Sequence, residues 1–240
     1  MTLIRSLLFG VLFYGGTLVI GFLYTPLAIL PGRIGRPFFR AWVMYSAAIV
    51  RWVAGIRYRV VLRDGAAWPD GPAIYASKHQ SAWETLLFNL LLPNPVFVLK
   101  KELQRIPFFG WYLPKMRQIA VDRKAGAAAM RGMVSQAEAV VADGHSIVIY
   151  PQGTRVAPGV DHPYHPGVYA MYRALQIPVV PIALDSGRLW ARNGLIKRAG
   201  TITVSVLPAI PPGLDRKSFM ARLEQAIETE AAVLHKASCG

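Results

Sequence analysis

Residues 7–30 form a nearly uncharged apolar run that opens after Arg5 and closes at Pro31, Gly32 and Arg33. About 20 apolar residues suffice to cross a bilayer, so this run is long enough to span one. A cleavable signal peptide is the competing reading, but no small-x-small cleavage site precedes a plausible mature start, and the run is expected to be retained. A second apolar segment, residues 38–56, is interrupted by Arg40 and Arg51 and followed by Arg57 and Arg59. Two helices dipping into one leaflet, or a helical hairpin, fit the pattern. Basic residues flank both segments, so the positive-inside comparison leaves spanning and docking open.

From residue 58 the texture becomes that of an α/β domain. Short apolar runs rich in β-formers predict strands over residues 58–62, 72–75, 95–99, 119–121, 147–150, 179–184 and 201–207. Helices are predicted over 82–92, 125–142, 168–175 and 219–235, with Gly144 just past the second, as C-terminal capping favours. Pro181 lacks a backbone N–H, so its strand is expected at an edge or a bulge. Strands alternating with helices imply a mixed, largely parallel sheet covered by helices on both faces. The expected organisation is α/β, with an N-terminal two-helix membrane-docking element over residues 1–57 and one α/β domain over residues 58–240.

Charge narrows the partners. Of 240 residues, 27 are Lys or Arg and 13 are Asp or Glu, a formal balance of +14. Such an excess points to nucleic acid, a membrane surface or a phosphorylated substrate. The basic residues flank apolar segments and turns, with no long basic run and no recognised nucleic-acid module, so no nucleic-acid partner is expected. The single cysteine, Cys239, excludes an intrachain disulfide and any cysteine-based metal cluster. His162 and His165 beside Asp161 imitate a metal site, but the interleaved prolines read better as a loop with solvated histidines. No metal is expected.

The candidate chemistry centres on Ser77-Lys78-His79-Gln80-Ser81-Ala82-Trp83-Glu84, between the strand at 72–75 and the helix at 82–92. Ser81 and Glu84 have the S-x-x-E spacing of a capping box, in which each side chain satisfies a free backbone N–H at the helix start. His79 falls in the strand-to-helix turn, where the positive end of the helix dipole favours the neutral imidazole, a candidate general base. Glu84 is the candidate to orient it. Five residues apart on a regular helix, two side chains diverge by roughly 140°, so the pair can meet only because His79 lies outside the helix. Taken alone, the stretch also reads as a capped helix with a loop histidine.

Three further stretches follow strands, and ligands in open α/β sheets bind at strand ends. The segment Lys100-Lys101-Glu102-Leu103-Gln104-Arg105-Ile106-Pro107-Phe108-Phe109-Gly110 opens with two cations and then turns apolar. That suits a phosphate contact beside a lipid-facing wall, or an ordinary loop. In Tyr150-Pro151-Gln152-Gly153-Thr154-Arg155, Gly153 permits a tight turn, Thr154 offers a hydroxyl, and Arg155 presents a fork matched to phosphate oxygens. A polar turn with a solvated arginine is the alternative. Residues 177–183, with Val180 and Pro181, carry no chemistry and read as a wall or as sheet core.

In this order, the four stretches resemble the glycerolipid acyltransferase family, which includes the bacterial enzymes that make phosphatidic acid. The family's H-x4-D motif reads here as His79 to Glu84. Its K-x-E-L-x-x-x-P-x-x-G is matched at Lys100, Glu102, Leu103, Pro107 and Gly110, and its proline-acid-glycine-threonine-arginine turn at Pro151, Gln152, Gly153, Thr154 and Arg155. Its apolar proline-containing strand is matched at residues 179–183, with Val180 and Pro181. Two departures stand out: Glu84 replaces an aspartate, and Gln152 replaces a glutamate, which removes a charge and bears on the identity of the acceptor.

The resemblance implies transfer of a fatty acyl group from an acyl-carrier-protein or coenzyme A thioester to the sn-2 hydroxyl of 1-acylglycerol-3-phosphate, with no cofactor. His79 is then the base, Glu84 its orienting carboxylate, and Lys100 with Gly153, Thr154 and Arg155 the phosphate clamp. Backbone N–H groups near a turn or helix start are implied for the oxyanion. Membrane lipid is the implied further partner, and the cytoplasmic side of a bacterial inner membrane the implied location. An acyltransferase for another lysolipid, such as a lyso-ornithine lipid, and a non-catalytic phospholipid-binding adaptor are the alternatives.

Overall fold

The computed structural model describes residues 2–26, 32–93, 95–107 and 109–237. Residues 27–31 at the end of the first apolar run, Phe108 in the Lys100 segment, and Cys239 lie outside the described residues. The strands are β1 Ile56–Leu62, β2 Ile74–Ser77, β3 Val96–Lys100, β4 Ile119–Val121, β5 Ile147–Ile149, β6 Val179–Leu184 and β7 Gly200–Val206. They form one sheet in the order β1-β7-β6-β2-β5-β3-β4. Every neighbouring pair is parallel except β6 with β7, which is the mixed, largely parallel sheet expected from the alternation of strands and helices. Strands covered on both faces are apolar at every position, and β6 is buried throughout.

Two helical layers make the two cores. On one face lie α1 Thr2–Gly10, α2 Gly16–Tyr24, α3 Gly32–Ala48 and α4 Trp83–Leu91; Phe9 of α1, Phe88 of α4 and Val50, from the π-helical turn Ile49–Val53 that follows α3, enter a core with Val148, Val180 and Trp190. On the other face lie α6 Gly126–Ala142, α7 Gly167–Leu175 and α8 Arg216–Ala237. They bring Met133, Met171 and Phe219 against Ile74, Ile147 and Val179. The short helix α5 Phe109–Tyr112 follows a 3-10 turn, Lys101–Arg105, after β3.

Pro181 departs from one of its two expectations. Its strand is interior, between β2 and β7, not an edge. The strand tolerates proline because the partner chain bulges there. Leu207 N–H donates to the Pro181 carbonyl, while the next pairing joins Val179 to Ile210. Two residues of β6 thus face three of its partner. Pairing with β7 begins at Ile182, so the missing N–H falls where the ladder is already interrupted.

The N-terminal helices pack on the sheet through one side only. A π-helical turn, Val11–Gly15, joins α1 to α2, giving one apolar helix over Thr2–Tyr24 with a mean hydropathy of 2.0. The Tyr45 hydroxyl donates to the Leu12 carbonyl inside this turn at 2.7 Å, and Trp42 Nε1 donates to Thr17 Oγ1 at 3.1 Å. Phe9 and Phe13 bury their rings edge-on against Trp190, with centroids 5.0 and 5.5 Å away. On the outer side Ile4, Val11, Leu18 and Phe22 are 63–73% exposed. An uncovered apolar face of this length fits membrane association.

Trp190 is the aromatic contact that ties this helix to the α/β domain. Trp190→Ala is expected to cost about 3–5 kcal/mol, the usual range for truncating a buried aromatic. It should also open the Thr2–Tyr24 helix to proteolysis; a melt and limited digestion in detergent check both.

Candidate active site

β2, β5 and β3 run parallel and finish on one edge of the sheet, so the turns that follow them gather there. The turn after β2 carries His79. Glu84 stands in the first turn of α4 and reaches back, and its Oε1 lies 2.8 Å from His79 Nδ1. The same oxygen accepts the backbone N–H of Gln80 at 2.6 Å and of Ser81 at 2.7 Å. Oε2 accepts the hydroxyls of Ser81 and Ser186, both at 2.8 Å. The expected capping box is thus half formed: Glu84 reaches back to the Ser81 N–H, whereas Ser81 Oγ accepts from Trp83 N–H at 3.0 Å, one residue short of Glu84.

Glu84 is fully buried. Burial alone would push its carboxyl up, but the hydrogen bond and charge of His79, with the bonds from Ser81 and Ser186, hold it below the ordinary value of 4.5. The carboxylate is therefore ionised and accepts only, so the proton of a neutral His79 sits on Nδ1 and Nε2 keeps its lone pair. The Tyr150 ring stacks on the imidazole at 3.9 Å and 13°. Burial and the Glu84 charge hold the Tyr150 phenol well above its ordinary value, and it lies 3.1 Å from Thr85 Oγ1. His79 is thus fixed at one nitrogen and along one face, with its side chain 18% exposed.

Beside it opens a cavity of about 390 Å³, lined by Gln80, Thr154, Arg155, Gly187 and Arg192 among others. His79 adjoins this cavity through Gln80 without lining it. The turn after β5 closes through Gly153 N–H on the Tyr150 carbonyl at 2.8 Å, with Gly153 at φ +65°. A Cβ there would stand 2.9 Å from the His165 ring, so both the turn and the crowding require glycine. Val156 N–H donates to the His79 carbonyl at 2.7 Å, tying the two turns together.

The remaining predicted residues divide. Thr154 and Arg155 line the cavity. Lys100 ends β3 with an exposed side chain, and Glu102 is exposed in the following 3-10 turn. Gly110 packs so tightly that a methyl group would overlap the backbone of Gln104 and Leu103, which accounts for a glycine three residues after Pro107. Val180 and Pro181 are buried in the sheet, as core and not as a wall of the cavity. Pro151 and Gln152 are also buried, and Gln152 points toward α8. At the helix start the N–H groups of Gln80 and Ser81 are committed to Glu84, and that of Trp83 to Ser81.

Several residues of the site escaped the sequence reading. Ser186 follows β6 by two positions, so it too stands at a strand end, which is the signal that marks it. The Tyr150 stack and the bond from Arg123 to the Gly153 carbonyl at 2.7 Å join segments far apart in sequence, and no local pattern announces them.

Ser186→Ala removes one of five donors to a buried charge. It should cost about 1.5–3 kcal/mol, as for hydrogen bonds to charged groups. Because Glu84 is depressed when folded, the stability it contributes is present above its ordinary value of 4.5 and is lost as pH falls through the native value. In Ser186→Ala the native value rises, so acid unfolding should begin at higher pH; melting curves across the acid range check this.

Comparisons with known proteins agree with the geometry. The family pattern described as Acyltransferase matches residues 59–185. The chain is 35% identical over 227 residues to a 1-acyl-sn-glycerol-3-phosphate acyltransferase of Pseudomonas aeruginosa, covering 94% of this chain and 88% of that protein. It is 29% identical over 186 residues to the protein so named in Cocos nucifera, covering 77% of this chain and 60% of that one. In fold it is similar to the crystal structure of the 1-acyl-sn-glycerophosphate (LPA) acyltransferase, PlsC, from Thermotoga maritima. The TM-score is 0.72 over 98% of both chains, at 18% identity. With buried Glu84 held to His79 at the sheet edge and the family pattern running through both site turns, this chain belongs to the acyltransferase family.

Proposed function

We propose that this enzyme transfers a fatty acyl group from a thioester to the sn-2 hydroxyl of 1-acylglycerol-3-phosphate, forming phosphatidic acid. The observation that carries the reading is the His79–Glu84 contact at 2.8 Å, beside a cavity lined by Arg155. An alcohol attacks an acyl carbon poorly until a base takes its proton. His79 Nε2 accepts that proton as the oxygen bonds to the thioester carbonyl carbon. The tetrahedral adduct then expels the thiolate, and the imidazolium returns the proton to sulfur. Glu84 holds the tautomer and stabilises the imidazolium.

Arg155 and Thr154 grip the acceptor phosphate and place its hydroxyl at His79, with Lys100 as an outer cation. The donor is acyl carrier protein or coenzyme A; both carry phosphate, and the +14 balance favours an anionic partner. Gln152 faces Glu228 and not the cavity, so the loss of charge there gives no support to a different acceptor. The exposed face of the Thr2–Tyr24 helix docks the enzyme on the leaflet. Acyl chains cost about 0.8 kcal/mol per CH₂ to draw through water, and docking avoids that transfer. The cytoplasmic face of a bacterial inner membrane is the location proposed, since carrier protein and coenzyme A are found there.

The test is acyl transfer by detergent-purified protein, with labelled thioesters of both kinds against a panel of lysolipids. His79→Ala should lower turnover by roughly 10²- to 10⁴-fold with vesicle binding retained. Unchanged turnover would remove His79 as the base, and lipid binding without transfer to any acceptor would favour an adaptor. Arg155→Ala should reduce kcat/KM for 1-acylglycerol-3-phosphate by roughly 10- to 100-fold, mainly through KM. Steady-state kinetics at constant detergent checks it.

A further inference from the structure

Behind the site, three loops share one carboxylate. Lys78, the residue before His79, is 2% exposed, and its Nζ donates to both oxygens of Glu228 on α8, at 2.6 and 2.5 Å. Gln152, in the turn after β5, directs its Nε2 to the same Oε1 at 3.4 Å. Tyr164, from the loop leading to α7, donates its hydroxyl there at 2.9 Å. Burial and the charge of Glu228 keep the Tyr164 phenol protonated, so it remains a donor. An ammonium, an amide and a phenol thus converge on one negative charge.

Gln152 is itself 1% exposed, and its Oε1 has no hydrogen-bond partner among the described residues. A glutamate in its place would set a second carboxylate beside Glu228, with one oxygen where even a neutral acceptor finds no donor. Two carboxylates in one site cannot both ionise freely. The cluster has room for one.

We propose that Lys78, Gln152 and Glu228 are positioning residues for acyl transfer: the carboxylate supplied by α8 holds the His79 turn against the Arg155 turn, and Gln152 is neutral because Glu228 already carries the charge. Successive residues of an extended segment point to opposite faces, so Lys78 is drawn to α8 while His79 is held by Glu84 on the other side. This rests on the acyl-transfer reading above.

The test is a charge exchange, scored by kcat, KM and melting temperature for wild type, Gln152→Glu, Glu228→Gln and the double variant. Gln152→Glu should lower kcat roughly 10-fold with KM little changed, within the coupling range of neighbouring groups. Adding Glu228→Gln should restore it to within about 3-fold of wild type, because one carboxylate again faces Lys78. In Gln152→Glu the two neighbouring carboxylates cannot both ionise freely, so its kcat relative to wild type should climb as pH falls. A general loss of folding gives no such recovery.

Should Gln152→Glu not accumulate, the comparison passes to Glu228→Gln, which the second substitution should improve. The inference is overturned if Gln152→Glu equals or exceeds wild type, or if the double variant is no better than the weaker single variant. If wild type itself transfers no acyl group, the functional reading fails, and the melting temperatures, which need no substrate, still decide the charge exchange by the same order.

Discussion

A carboxylate buried without contact to water is stable only if its oxygens are saturated with donors, and that requirement at Glu84 organises the sheet edge that carries the candidate active site. Five groups answer it: the imidazole of His79, two backbone amides of the same turn, and the hydroxyls of Ser81 and Ser186. Ser186 follows β6 and His79 follows β2, so the donors converge only because β2 and β6 are parallel neighbours ending on one edge. The sheet order is thus part of the chemistry. A strand inserted between these two would leave a buried charge short of a donor, and His79 would lose its orientation together with the helix start.

The same edge is braced from behind. The Glu84 contacts lie on the side of α4, the Glu228 contacts on the side of α8, and His79 sits between two carboxylates that never meet. Val156 N–H on the His79 carbonyl closes the loop between the two turns. Placing a side chain in a turn exposes it to motion, and anchoring both flanking residues in opposite layers is a way to hold it still. The apolar N-terminal helix reaches this edge as well. Ser6 Oγ accepts the N–H of Lys197, just ahead of β7, and β7 starts where the antiparallel β6 ends.

Much of this was legible along the chain. Alternation of apolar runs with helical segments gave all seven strands within two residues at every end, the interior parallel ones because strands covered on both faces must be apolar throughout. His79, Glu84, Gly153 and Arg155 were readable because each follows a strand within a few residues and carries distinctive chemistry. Pro181 marked an interruption of the ladder, but whether that meant an edge or a bulge depended on what the chain does at Leu207 to Ile210, some thirty positions later. Gln152 was visible as a motif residue and Lys78 only as the neighbour of one, both without their meaning, since Glu228 arrives from the far end of the chain.

What the sequence determined by itself is local: where strands and helices begin, which turns need glycine, and which side chains could take a proton or grip a phosphate, all consequences of backbone sterics and periodicity. What only the tertiary structure decided is which charges face which. Gln152 could be judged a lost substrate contact from the motif alone; folded, it is an amide donor to a carboxylate on α8. Electrostatic partners are chosen by distance in space, and the separations of 76 residues to Glu228 and 102 from Glu84 to Ser186 leave no trace in local pattern.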